Sequence, residues 1–218
     1  MTSHYQALNN SREGKLIFMT DPFCSWCWGT LPEILAAKSR LGERLDFQLR
    51  CAGLQVGSGK PLGEAHREQL LRLWRDVAAI TGQRFACAFP ADVAFIYHSE
   101  LACRAIMLAR QYLGEEPWEL FYSVQEAFYV DAVNIGDLDA LFGIIETIGI
   151  SRDSFLSAMT ETALTEATRQ EFDWCKARGI DALPTVFLDT GQGPVLVCGG
   201  YVTADYLVTD LLARLGTH

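Results

Sequence analysis

Cys24 and Cys27 stand with two residues between them in the segment DPFCSWCWG. Thiols at this spacing can exchange disulfides: one attacks as a thiolate, and the other releases the mixed disulfide that forms. The segment follows the apolar run Leu16-Ile17-Phe18-Met19 and precedes a helix-compatible stretch, so the pair falls at a strand-to-helix junction. A helix N-terminus offers unpaired N–H groups and the positive end of the helix dipole, both of which stabilise a thiolate. Cys24 is therefore the predicted nucleophile. Cys27, one turn later on the same face, is the predicted resolver. Phe23, Trp26 and Trp28 are candidates for an apolar rim against a flexible polypeptide, with Trp26 foremost and inward packing the competing expectation for the other two. Asp21 is either a proton acceptor near Cys27 or, preceding Pro22, a turn residue.

The elements around this pair can be read from periodicity. Lys15 to Thr20 is a short buried strand, and Leu31, Ile34, Leu35 and Leu41 keep near-helical spacing after the cysteines. Pro32 falls inside that helix and is expected to kink it, and Gly42 to end it. Leu45, Phe47 and Leu49 alternate with polar residues into a second strand, so the chain opens β-α-β. From about Pro61 to Gly149 strand signals give way to four helical stripes. These include Leu70 to Ala78, a helix capped by Ser99, one started by Pro117, and one running from Asp137 to Gly149. A short helix then starts at Ser151 and a longer one runs from about Thr162 to Arg178, with Gly179 as its left-handed stop. Leu183 to Leu188 and Val195 to Cys198 read as a hairpin, and the last helix starts at Thr203.

Composition narrows the function. The 218 residues are 50% hydrophobic and 21% charged, which suits a globular chain with a sizeable core. A formal net charge of −9 argues against nucleic acid as a partner, because phosphate binding rests on Lys and Arg. No stretch approaches the roughly 20 apolar residues of a membrane span, so no membrane partner is expected. Met1 to Gly14 lacks the basic start and apolar middle of a secretory signal, and the expected location is cytoplasmic. Seven cysteines cannot all pair within one chain, which also favours a reducing compartment. Cys51, Cys87, Cys103, Cys175 and Cys198 are read as small buried hydrophobes.

Pro184 opens an otherwise strong strand, where proline is tolerated but not favoured. A cis peptide at Leu183-Pro184 would account for it, and would leave the Leu183 backbone free to pair with an extended substrate. The order β-α-β, helical segment, α-β-β-α, with Cys-X-X-Cys at the first helix and Ala182-Leu183-Pro184-Thr185 at the third strand, resembles the DsbA-like branch of the thioredoxin superfamily, most of all its FrnE-like disulfide-isomerase members. The resemblance covers roughly residues 14 to 218 and implies an α/β, thioredoxin-like fold with an inserted all-helical domain. Residues 14–60 and 150–218 would form the thioredoxin-like domain and 61–149 the insertion. It further implies a protein-disulfide oxidoreductase or isomerase with Cys24 and Cys27 as catalytic residues. Trp26, Leu183 and Pro184 would meet the substrate, the partners being protein thiols and disulfides with glutathione as an additional thiol. No cofactor and no metal are expected. The central pair Ser25-Trp26 departs from the Pro-His of DsbA and the Gly-Pro of thioredoxin, which leaves the direction of electron flow open, as are the oligomeric state and the natural substrate.

Three other readings compete. A Cys-X-X-Cys is half of a zinc knuckle, but no second such pair exists and His4, His66, His98 and His218 are scattered. The kappa-class glutathione transferases and chromene carboxylate isomerases share the helical-insert architecture, yet carry a serine near the place of Cys24. A binding or chaperone module with incidental thiols would be indifferent to loss of both cysteines.

Overall fold

The computed structural model describes residues 12–56, 59–91, 95–179 and 182–216. Its sheet is built around β1 (Gly14–Thr20), whose Leu16 to Thr20 are all buried because the strand is covered on both faces and both edges. A strand so enclosed reads as an unbroken apolar run. β2 (Leu45–Cys51) lies parallel to it with Phe18 opposite Leu49, and as an edge strand it buries alternate residues only. Parallel neighbours need a crossover, here α1 (Ser25–Leu41). On the other side β3 (Thr185–Asp189) runs antiparallel to β1 with Met19 opposite Thr185, and β4 (Val195–Gly199) closes the hairpin, giving the order β2-β1-β3-β4. The strands of this fold are thus arranged so that the ends of β1 and β2 and the start of β3 share one edge of the sheet, the place where α/β folds gather their functional groups.

Between β2 and β3 come α2 (Glu64–Thr81), α3 (Glu100–Leu113), α4 (Trp118–Tyr129), α5 (Leu138–Ile145), α6 (Arg152–Thr160) and α7 (Thr162–Lys176); α8 (Ala204–Leu215) follows β4. The chain is mixed α/β with the thioredoxin-like arrangement expected. One hydrophobic core contains Leu16 and Phe18 of β1, Leu31 and Ile34 of α1, Leu207 and Leu211 of α8, and the aromatic side chains of the helices between β2 and β3. The opposite face of β1 offers Ile17 and Met19, which join Phe187 and the α7 residue Cys175 in a smaller cluster.

Local details differ from the sequence reading where distant partners intervene. Ser99 precedes α3, but its hydroxyl accepts the Gln55 N–H at 3.2 Å and does not cap the helix. Asp137, Ser151 and Thr203 do cap α5, α6 and α8 through their side chains. Gly42 ends α1 in right-handed conformation, and Gly179, left-handed at φ +63 as expected, closes the turn that follows α7 at Lys176. Pro32 sits within α1, which stays helical from Ser25 to Leu41. The strand expected from Leu183 begins at Thr185. Cys51, Cys103 and Cys175 are buried as expected, whereas Cys87 is exposed on a loop and Cys198, on an edge strand, only partly covered.

Candidate active site

β1 runs out at Thr20 into Asp21-Pro22-Phe23, and the chain re-enters helix at Ser25. Cys24 is the N-cap of α1, extended at φ −92 and ψ 109, and its Sγ accepts the Cys27 N–H at 3.2 Å. An N-cap side chain satisfies one of the orphan donors of the first turn; here the acceptor is sulfur, and the same N–H groups and helix dipole favour negative charge on it. Cys24 keeps 6% of its surface exposed and Cys27 none. Burial pushes the Cys27 thiol well above its usual range, and the neighbouring Cys24 sulfur pushes it further, while Thr20 and the Asp21 backbone act the other way. The pair is thus asymmetric: Cys24, 6% exposed, caps the helix N-terminus, and Cys27 is fully enclosed behind it with its thiol pushed up by burial.

Asp21 holds the loop that carries them. Its Oδ1 accepts the Phe23 N–H at 2.9 Å and its Oδ2 the Leu54 N–H at 2.7 Å. Its carbonyl accepts the Cys24 N–H at 3.0 Å and the Gln125 side-chain amide at 3.2 Å. The carboxyl also receives the Cys103 thiol of α3 at 3.8 Å. Asp21 is fully buried, so desolvation raises its carboxyl above the usual range against the pull of these donors. Of the two roles offered by the sequence, the structure displays a turn residue enlarged into a clamp that joins the cysteine loop to the segment after β2, to α3 and to α4.

The aromatic residues of the motif divide. Phe23 is fully buried against Phe95, Tyr97 and Phe128, and its carbonyl accepts the Tyr97 hydroxyl. Trp28 is buried, stacks on Tyr129 and donates its indole N–H to the Arg84 carbonyl at 3.0 Å. Neither forms a rim. Trp26 is partly exposed. Tyr97 and the Leu54 backbone, both of which fix the loop, were not visible in the sequence, since nothing in their local pattern points across 74 or 33 residues to Phe23 or Asp21.

The Leu183–Pro184 peptide is cis. The pairing of Met19 with Thr185 brings it to the edge of the sheet where β1 leaves for the cysteine loop. Pro184 is buried, and its carbonyl accepts the Gly200 N–H at 2.8 Å, while the Thr185 hydroxyl donates to the Ala182 carbonyl at 2.8 Å. Leu183 between them is partly exposed, and its N–H and carbonyl have no hydrogen-bond partner among the described residues. All seven cysteines are free thiols. Behind the loop the Cys103 thiol donates to the Asp21 Oδ2 at 3.8 Å, and the Cys175 thiol donates to the Cys51 carbonyl at 3.6 Å. No group of three or more His, Cys, Asp or Glu among the described residues is arranged to hold a metal ion. No described helix is long and apolar enough to cross a membrane.

Comparison with solved structures finds the same fold elsewhere. A candidate protein disulfide isomerase from Nitrosomonas europaea is 27% identical, superposes with a TM-score of 0.86, and the match covers 95% of this chain and 100% of that one. The cytosolic disulfide reductase DsbM from Pseudomonas aeruginosa, solved with GSH, is 22% identical with a TM-score of 0.73 over 93% of this chain and 99% of its own. A 2-hydroxychromene-2-carboxylate isomerase shares the fold at 18% identity and a TM-score of 0.62, over 93% and 95% of the two chains. Among curated proteins none matches. The sequence profile of the DSBA-like thioredoxin domain matches residues 15–204, from the start of β1 to the start of α8. With that profile spanning the sheet, the cysteine loop and the helices between them, the chain belongs to the DSBA-like thioredoxin domain family.

Proposed function

We propose that this protein is a thiol-disulfide oxidoreductase that exchanges disulfides with polypeptide substrates through Cys24 and Cys27. The observation that carries the reading is the asymmetry of the pair: Cys24 caps α1 with its sulfur on the Cys27 N–H, and Cys27 is sealed behind it. In the reducing direction the Cys24 thiolate attacks one sulfur of a substrate disulfide. The Cys24–substrate bond forms, the substrate S–S bond breaks, and the departing sulfur takes up a proton. Cys27 then loses its proton and attacks Cys24, which closes the Cys24–Cys27 disulfide and frees the second substrate thiol. The substrate is reduced by two electrons and the enzyme oxidised by two. The oxidising direction is the same sequence reversed.

Leu183 and Pro184 hold the substrate chain in this reading, supported by the unpartnered Leu183 N–H and carbonyl at the edge shared with the cysteine loop. Trp26, partly exposed, is the aromatic contact of the motif. Glutathione serves as the small thiol that returns the pair to its starting state, a role supported by the DsbM structure solved with GSH. A reducing, cytoplasmic setting fits the odd number of cysteines and is supported by the likeness to the cytosolic reductase DsbM. Residues 14–60 and 150–218 form the thioredoxin-like unit and 61–149 its helical insertion.

The test is capture of the intermediate. With Cys27→Ser, resolution stops and Cys24 accumulates mixed disulfides with a cysteine-bearing polypeptide, seen by mass spectrometry as adducts released by dithiothreitol. Cys24→Ser gives neither adduct nor turnover. A Cys27→Ser protein that turns over normally and holds no adduct would sink the reading.

A further inference from the structure

On the α7 face of the sheet, behind Leu183, the structure contains a cavity of about 570 Å³ that neither Cys24 nor Cys27 lines. Its lining includes the apolar Met19, Leu54, Phe172 and Leu183 together with Glu100 at the start of α3 and the charged α7 residues Arg169, Asp173 and Lys176. Ligand pockets commonly occupy about 300 to 1,000 Å³ and combine apolar walls with a few polar groups. One wall depends on a glycine. Gly53 has φ +65, and a Cβ there would lie 2.8 Å from the Phe172 ring, so only glycine lets this ring lie against the chain leaving β2. At the mouth, Leu54 and Val56 are 45% and 47% exposed, large apolar side chains left in solvent beside an open concavity.

The cavity begins at the residue whose backbone is free to pair. An extended chain that adds to the Leu183 backbone places successive side chains on opposite faces, and in such recognition the pockets beneath alternate residues set specificity. We infer that this cavity is the specificity pocket of the site and takes a large apolar side chain, aromatic or branched aliphatic, that neighbours the reacting cysteine of an extended polypeptide. The inference rests on the exchange reaction proposed above and names its preferred substrate class. Glutathione carries no apolar side chain, so the pocket distinguishes polypeptide substrates from the small thiol.

Two blocked peptides decide it. Each carries one cysteine as the mixed disulfide with 2-mercaptoethanol, flanked by Phe in one and by Gly in the other. The reduced protein is expected to react with the Phe peptide with a kcat/KM about 10-fold or more above that for the Gly peptide, the scale on which a filled apolar pocket discriminates. Leu54→Asp and, independently, Val56→Asp, both at exposed positions, should bring that ratio down to within about 2-fold. The ratio within one protein is insensitive to a loss of folded fraction. A wild-type ratio near one with both peptides turned over, or a ratio that survives in both variants, overturns the pocket and leaves the exchange reaction standing. Absence of reaction with either peptide overturns both.

Discussion

The difference between two cysteines a turn apart comes from their positions at a helix start. Cys24 is the cap, and Cys27 is the residue whose N–H it receives, already enclosed by the core. Burial and the adjacent sulfur hold the Cys27 thiol well above the ordinary thiol range, so of the two Cys27 is the one that resists losing its proton. The account predicts that iodoacetamide labels Cys24 in the Cys27→Ser variant between pH 7 and 9. In Cys24→Ser, Cys27 is expected to stay unlabelled over the same range, as peptide mass mapping would record. Labelling of Cys27 at the rate of a free thiol near pH 8 would contradict the asymmetry. The pair itself was legible in the sequence, because a Cys-X-X-Cys after an apolar run and before helical spacing has few other uses. Asp21 was half legible. An Asp before Pro reads as a turn, but the Leu54 and Cys103 partners that make it a clamp lie 33 and 82 residues away, beyond any local pattern. The outcome for Phe23 and Trp28 depended likewise on distant aromatic rings that only the fold assembles.

At the scale of elements, α1 is fixed by what packs on it. Gly29 sits where α1 meets α2, and a Cβ there would come within 2.7 Å of the Thr81 side chain and 2.9 Å of Val77. Gly29→Leu is expected to destabilise the protein by about 1 to 3 kcal/mol through overpacking, and to disturb the helix that carries the cysteines. Gly143 in α5 offers the contrast, with no atom within 4 Å of its would-be Cβ. Gly143→Ala should stabilise by up to about 1 kcal/mol from helix propensity alone. Urea melts of the two variants check both signs; equal effects would mean that the α1–α2 contact does not constrain the site. Most elements were visible in the sequence, because alternation in β2 and apolar stripes in the helices are local signals. The boundaries failed where a longer-range bond decided the matter. Ser99 turns to the Gln55 N–H, and the strand after Pro184 starts only where Met19 provides a partner.

The whole molecule sets these parts in a single core that runs from β1 through α1 into the helices between β2 and β3. The cysteine loop lies inside that continuity, with Asp21, Phe23 and Trp28 all tied to the helices that follow β2. The chain nevertheless contains further thiols in Cys51, Cys87, Cys103, Cys175 and Cys198, and burial raises Cys103 and Cys175 well above the ordinary thiol range. The account assigns reversible two-electron chemistry to Cys24 and Cys27 alone. An equilibrium titration of the full chain against reduced and oxidised glutathione, with thiol labelling mapped by mass spectrometry, measures that assignment directly. The predicted result is one two-electron transition, between the about −120 mV of DsbA and the about −270 mV of thioredoxin, in which only Cys24 and Cys27 lose their labels and become a disulfide. Failure of these two to pair at any glutathione ratio, or a transition carried by other cysteines, would contradict it.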